Sequence, residues 1–202
     1  FIDYSTAERR AALCREELRL NRRHAPGLYV DVVPIAGTPA APRVGATDSP
    51  PFEHALRMVQ FDPQLELTQL LQSGAVATGE LRDFGKRIAQ MHATAAIAAA
   101  ADDFGTPDKA HRTTLDNFDE IARALPGPEE AQQLERLRGR AQRLFAAGQP
   151  LMEQRRQDGR IREGHGDLHC GNVVRWQGTL VAFDGLEFDP GLRFIDVAND
   201  LA

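Results

Sequence analysis

Cysteine is nearly absent from this chain. Cys14 and Cys170 are the only two in 202 residues, far apart and in no Cys-x-x-Cys pair. That excludes a disulfide scaffold and points to a reducing, cytoplasmic compartment. A basic surplus is missing too: the net charge is −5 and the pI about 5.7, which argues against a nucleic-acid-binding surface. No apolar run reaches membrane-spanning length; the nearest, Ala93 to Ala101, is short and alanine-rich. No secretory leader is expected. No Gly-x-Gly-x-x-Gly occurs. Gly79 to Lys86 fails as a phosphate loop, because five residues separate its glycines and no Ser or Thr follows Lys86. What is present is 42% hydrophobic content, enough for a sizeable core in one or two lobes. The chain starts at Phe1 and stops at Asp200-Leu201-Ala202 within a helical pattern, so it is expected to be a piece of a longer protein.

Chemistry-bearing residues concentrate in Glu163-Gly164-His165-Gly166-Asp167-Leu168-His169-Cys170-Gly171-Asn172. This stretch runs into Val173 to Trp176, a tight turn at Gln177-Gly178, and a second strand from Thr179 to Phe183. Asp184 follows, twelve residues after Asn172. The frame His-x-Asp-x-x-x-x-Asn has the Asp-to-Asn spacing of protein-kinase catalytic loops, where Asp handles the acceptor hydroxyl and Asn holds Mg²⁺. Phosphoryl transfer needs positioning and charge neutralisation more than covalent chemistry. Mg²⁺ prefers oxygen and takes only one or two protein side chains. Asn172 and Asp184, joined by a hairpin, meet that need, and Asp167 is left to face an acceptor.

The run Gly164-His165-Gly166-Asp167-Leu168-His169-x-x-Asn172 closely resembles the catalytic loop of aminoglycoside phosphotransferases, which have a protein-kinase-like fold. The segments Ala182 to Phe188 and Phe194 to Ala202 resemble, more narrowly, an uncharacterised bacterial branch in which such a domain often precedes a P-loop ATPase domain. The resemblance implies an α+β, two-lobed fold: residues 1–61 a partial small lobe and hinge, incomplete at its N-terminus, and residues 62–202 a mostly helical large lobe. It implies transfer of a phosphoryl group from ATP, with Mg²⁺, to a hydroxyl of a small molecule, with no nucleic-acid or membrane partner. The catalytic candidates are Asp167 as base, His165 as a brace for the loop, and His169, which either orients Asp167 or simply packs. The metal candidates are Asn172 and Asp184, with Glu187 as a supporting or second-metal acid. Asp196 resembles the aspartate that pins the catalytic loop's backbone in such folds.

Elsewhere, residues 6 to 24 read as a helix and Leu28 to Ile35 as a strand. On that helix Glu17, with Glu16 as rival, is the expected partner of a phosphate-binding lysine, which the resemblance places upstream of Phe1. Thr38 to Pro51 reads as a loop or strand connector. His54 to Phe61 reads as a strand leading to a hinge, where main-chain groups of Met58, Val59, Gln60 and Phe61 would meet adenine. Helices are expected over Leu65–Ser73, Gly79–Ala101, Thr114–Leu125, Glu129–Ala147 and Gln149–Gln157. Asp103-Phe104-Gly105 precedes the catalytic loop by about sixty residues and reads as a helix terminus. Among the helical acids, Asp116, Asp119 and Glu120 are candidates for a cationic acceptor or simply a solvated face.

Each assignment has a plainer alternative: a solvated helix face for Glu17, core packing for Met58, a turn aspartate for Asp167. Two other functional classes also stand. One is a non-catalytic, pseudokinase-like nucleotide sensor serving an attached ATPase domain. The other is a metal-dependent hydrolase using the same acids, and His165, His169 and Cys170 also suit zinc by ligand type.

Overall fold

A computed structural model describes residues 3–124 and 127–201. Phe1, Ala202 and Leu125, the expected end of one helix, lie outside them. The protein is a mixed α/β structure, with three small antiparallel sheets among the described residues.

Helix α1 (Ala7–Asn21) starts at Thr6, whose side-chain oxygen accepts the Arg9 N–H. It is followed by β1 (Tyr29–Thr38), β2 (Ala41–Val44) and β3 (Glu53–Met58), in the order β2-β1-β3. The loop or strand connector expected over Thr38 to Pro51 therefore contains a strand. Gly37 takes a φ of +89° that a side chain would resist, and the chain folds back so that Thr38 pairs with Ala41.

Helix α2 (Leu67–Gln72) ends at Gly74, as expected. Helix α3 (Thr78–Thr94) stops seven residues short of its expected end. Main-chain pairing outcompetes the helix there: the Glu163 N–H donates to Ala96 O (2.9 Å) and the Ala98 N–H to Ile161 O (3.0 Å). Helix α4 (Pro107–Ala124) starts seven residues earlier than expected. Helix α5 (Pro128–Gln157) is continuous where two helices were expected, although Pro150 lies inside it. A mid-helix proline costs about 3 kcal/mol. The turns beyond it are held by Arg155, paired with Asp196 (2.5 and 2.6 Å), and by Arg156, which donates to Ala100 O and Asp102 O.

Strand β4 (Ile161–Glu163) pairs with β7 (Phe194–Asp196), which follows the short helix α6 (Pro190–Arg193). Strands this short leave no periodic signal. Strands β5 (Val173–Trp176) and β6 (Thr179–Ala182) form the expected hairpin, with positive φ at both Gln177 and Gly178. This hairpin joins two cores. Successive strand residues point to opposite faces. Val174 packs with Ala25, Leu28 and Tyr29, while Val173 packs with Leu67, Leu70 and Leu180. Full burial of each valine contributes about 1.5–3 kcal/mol.

Candidate functional site

The loop between β4 and β5 is fixed by its main chain. Asp200 accepts the N–H groups of His165 (2.8 Å) and Gly166 (3.0 Å), and His92 Nε2 donates to the same carboxylate (2.9 Å). Asp196, expected in that role, instead sits in β7 and pairs with Arg155. The β4–β7 register puts Asp196 opposite Ile161 and lets the turn at Asn199–Leu201 swing Asp200 onto the loop. Gly164 leaves room for this, because a Cβ there would overlap Asp200 Oδ2.

His165 is fully buried. Its Nε2 donates to Phe183 O (2.9 Å), and its carbonyl accepts the Leu186 N–H. Burial lowers its pKa, so the ring is a neutral brace between the loop and the residue before Asp184.

Asp167 is half-exposed at the loop's apex. Asn172 Nδ2 donates to its carbonyl oxygen (3.0 Å) and to its Oδ2 (3.2 Å). His169 Nδ1 accepts the Gly171 N–H (3.0 Å), which assigns the neutral ring's proton to Nε2, 3.7 Å from Asp167 Oδ2. The Asn172 carbonyl accepts the Phe183 N–H (2.9 Å), so Asn172 and Asp184 sit at the same open end of the hairpin. With Nδ2 occupied by Asp167, Oδ1 is the free end of the Asn172 amide.

Asp184 has a φ of +62°, a strained position for a residue with a side chain. Two residues that sequence reasoning missed hold it there. Tyr29 OH accepts the Asp184 N–H (2.9 Å), and Asn21 Oδ1 accepts the Gly185 N–H (2.8 Å). Nothing in a local pattern marks either residue. Asn21 also donates to the Glu17 carbonyl, one turn back on α1.

The Glu17 carboxyl lies near enough to this end of the hairpin to feel its charges. Burial, then the negative charges of Glu187 and Asp184, push its pKa up to about 7. Burial raises the Glu187 pKa as well, with Asp184 adding to it. Glu16 is committed elsewhere, to Arg19 (2.8 Å) and Arg193 (2.5 Å). The chain's two lysines are also distant: Lys86 pairs with Asp83, and Lys109 with Asp103.

These acids gather negative charge at one end of the hairpin. The charges of Glu187 and Asp184 raise the proton affinity of Glu17, and that of Asp184 raises the proton affinity of Glu187; a bound cation would relieve that repulsion. Among the described residues no group of three or more His, Cys, Asp or Glu has metal-holding geometry. Mg²⁺ requires only one or two protein side chains. The zinc arrangement fares worse, because His165 is fully buried whereas His169 and Cys170 are exposed.

The expected hinge residues span the end of β3 and the segment after it. Met58 pairs with Tyr29, the Val59 N–H is already given to Leu28 O (2.8 Å), and Gln60 is exposed. Phe61 packs edge-on against Phe183 with ring centroids 5.1 Å apart, which ties this segment to the hairpin. Of the helical acids, Asp119 pairs with Arg138.

No family model matches the chain, and no solved structure matches it. Uncharacterized proteins of Mycobacterium bovis and Mycobacterium tuberculosis are 24% identical to it over all 202 residues. The chain spans 39% of the length of these relatives. Among the described residues no helix is long and apolar enough to cross a membrane.

Proposed function

We propose that this chain is the core of an ATP- and Mg²⁺-dependent phosphotransferase with a two-lobed, protein-kinase-like fold, acting on a hydroxyl of a small molecule. One observation carries the reading. Asn172 holds Asp167 with its side chain while its main chain pairs with Phe183, the neighbour of Asp184. A proton acceptor and two oxygen ligands thereby share one hairpin end, the juxtaposition that phosphoryl transfer uses. In this reading Asp167 receives the acceptor's proton, and His169, with its proton on Nε2, steadies the carboxylate. Asn172 and Asp184 hold Mg²⁺, which neutralises phosphate charge when bound. Glu17 and Glu187 support the ion or a phosphate-binding lysine. In the longer protein that the relatives' length suggests, a P-loop ATPase domain is the proposed neighbour.

The test is a screen of hydroxyl acceptors for ATP consumption, repeated with Asp167→Asn. Turnover should fall by about 10²–10⁴, the contribution of a positioned acid–base group, with nucleotide affinity retained. A second reading is a non-catalytic nucleotide sensor, which the absence of a phosphate-binding lysine from the sequence upstream of Phe1 would favour. A silent Asp167→Asn together with an Asp184→Asn that blocks nucleotide binding would establish the sensor and refute the enzyme.

A further inference from the structure

A cavity of about 560 Å³ opens between the C-terminal end of α1, one face of α3 and strand β6. Asp167, Asn172 and Asp184 do not line it, so it is separate from the site above. Its volume falls in the range of small-molecule sites. Phe84, Ile88 and Leu180 supply an apolar floor, and Arg19, Arg23 and Arg87 a cationic side.

The cations outnumber their partners. Arg19, Arg23 and Arg193 converge on Glu163 at 2.6, 3.0 and 3.2 Å, and Glu16 bridges Arg19 and Arg193. Three guanidiniums thus face two carboxylates. Arg87 donates to Leu180 O (2.7 Å) and, among the described residues, has no carboxylate at ion-pair distance. Four guanidiniums share two carboxylates here, and Asp83, which also acts on Arg87, is itself paired with Lys86. Burial lowers the Arg23 pKa, and Arg19 and Arg193 lower it further against the pull of Glu163. His24, also on the wall, has a buried Nε2 without a hydrogen-bond partner, and burial drives its pKa down to about 3, so it stays neutral.

We propose that this cavity binds a small organic anion, a carboxylate or phosphate head on an apolar body, with the head on Arg23 and Arg87. A planar guanidinium suits either head, and such bonds strengthen where water is excluded. The body covers Phe84 and Ile88. The cavity wall at Leu180–Ala182 is the strand that continues to Asp184, and His24 lies edge-on to His165, 5.4 Å away, whose Nε2 holds Phe183. The binding itself does not depend on the phosphotransferase reading.

Titration calorimetry of the protein tests it, with phenylacetate, phenyl phosphate, inorganic phosphate and the neutral 2-phenylethanol as probes. Saturable 1:1 binding of an aromatic anion, tighter than inorganic phosphate and absent for 2-phenylethanol, is the expected result. The tighter of the two aromatic anions identifies the head group. Arg87→Gln should weaken binding about 10- to 100-fold, the loss of one charge-assisted hydrogen bond. Thr94→Trp, placed at the exposed end of α3 on the cavity wall, should block binding while keeping every arginine. No saturation by either aromatic anion at millimolar concentration would overturn the proposal, as would equal binding of 2-phenylethanol or unchanged binding in both variants.

Discussion

Replacing Asp200 with alanine is expected to destabilise the protein by about 3–5 kcal/mol, the cost of breaking one side of a buried charged network. The carboxylate is buried and accepts three hydrogen bonds: His165 N–H at 2.8 Å, His92 Nε2 at 2.9 Å and Gly166 N–H at 3.0 Å. Each bond to a charged group contributes about 1.5–3 kcal/mol, and groups sharing one carboxylate do not add fully. Alanine would leave two loop amides and an imidazole N–H facing a void. Asp200→Asn keeps one acceptor oxygen but turns an NH₂ toward a donor, so about half the loss is expected. Burial alone would raise the Asp200 pKa, but the bonds from His92, His165 and Gly166 outweigh it and hold the value low. A depressed carboxyl stabilises above its unfolded pKa of about 3.9 and loses that contribution as pH falls. The gap between the native protein and Asp200→Ala should therefore be full at pH 7 and narrow below about pH 4. Urea unfolding followed by circular dichroism at several pH values measures it. A loss under about 1 kcal/mol at pH 7 would refute the pinning role of Asp200.

Glu17 runs the other way. Its pKa is raised to about 7, so the folded state binds an extra proton and stability falls as pH rises from about 4.5 through 7. Glu17→Gln should flatten that slope and be the more stable protein at pH 8, as read from thermal midpoints. Asp184→Asn removes a charge facing Glu17 and Glu187 and installs a residue that tolerates φ of +62°. It should gain about 1 kcal/mol in urea unfolding. The same substitution should weaken Mg²⁺-dependent nucleotide binding in calorimetry. Gly166→Ala meets both a φ of +85° and a Cβ position 2.9 Å from Leu192 O, so a loss of about 1–3 kcal/mol is expected in thermal unfolding.

The sequence alone determined what is decided within a few residues. The β5–β6 hairpin was readable because two apolar strands flank a two-residue turn ending in Gly178, which takes a positive φ without strain. Asp167 and Asn172 lie five residues apart on a glycine-rich loop, so their contact is also a local matter. The start of α1 and the stop of α2 at Gly74 follow from caps and glycine. Only the tertiary structure decided between neighbours of equal chemistry. Glu16 and Glu17 differ by about 100° around one helix, and packing sent the first to Arg193 and the second toward Asp184. Asp196 and Asp200 differ by one short turn, and the pairing of β7 with β4 gave the loop to Asp200. Thr94 ends α3 because β4, far along the chain, offers its main chain to residues 96–98. The turns of α5 beyond Pro150 are held in place by Asp196 and by the carbonyls of Ala100 and Asp102. In each case the deciding hydrogen bonds come from residues about 35 to 180 positions away, whose approach depends on the closure of the whole chain and leaves no trace in local hydrophobic spacing.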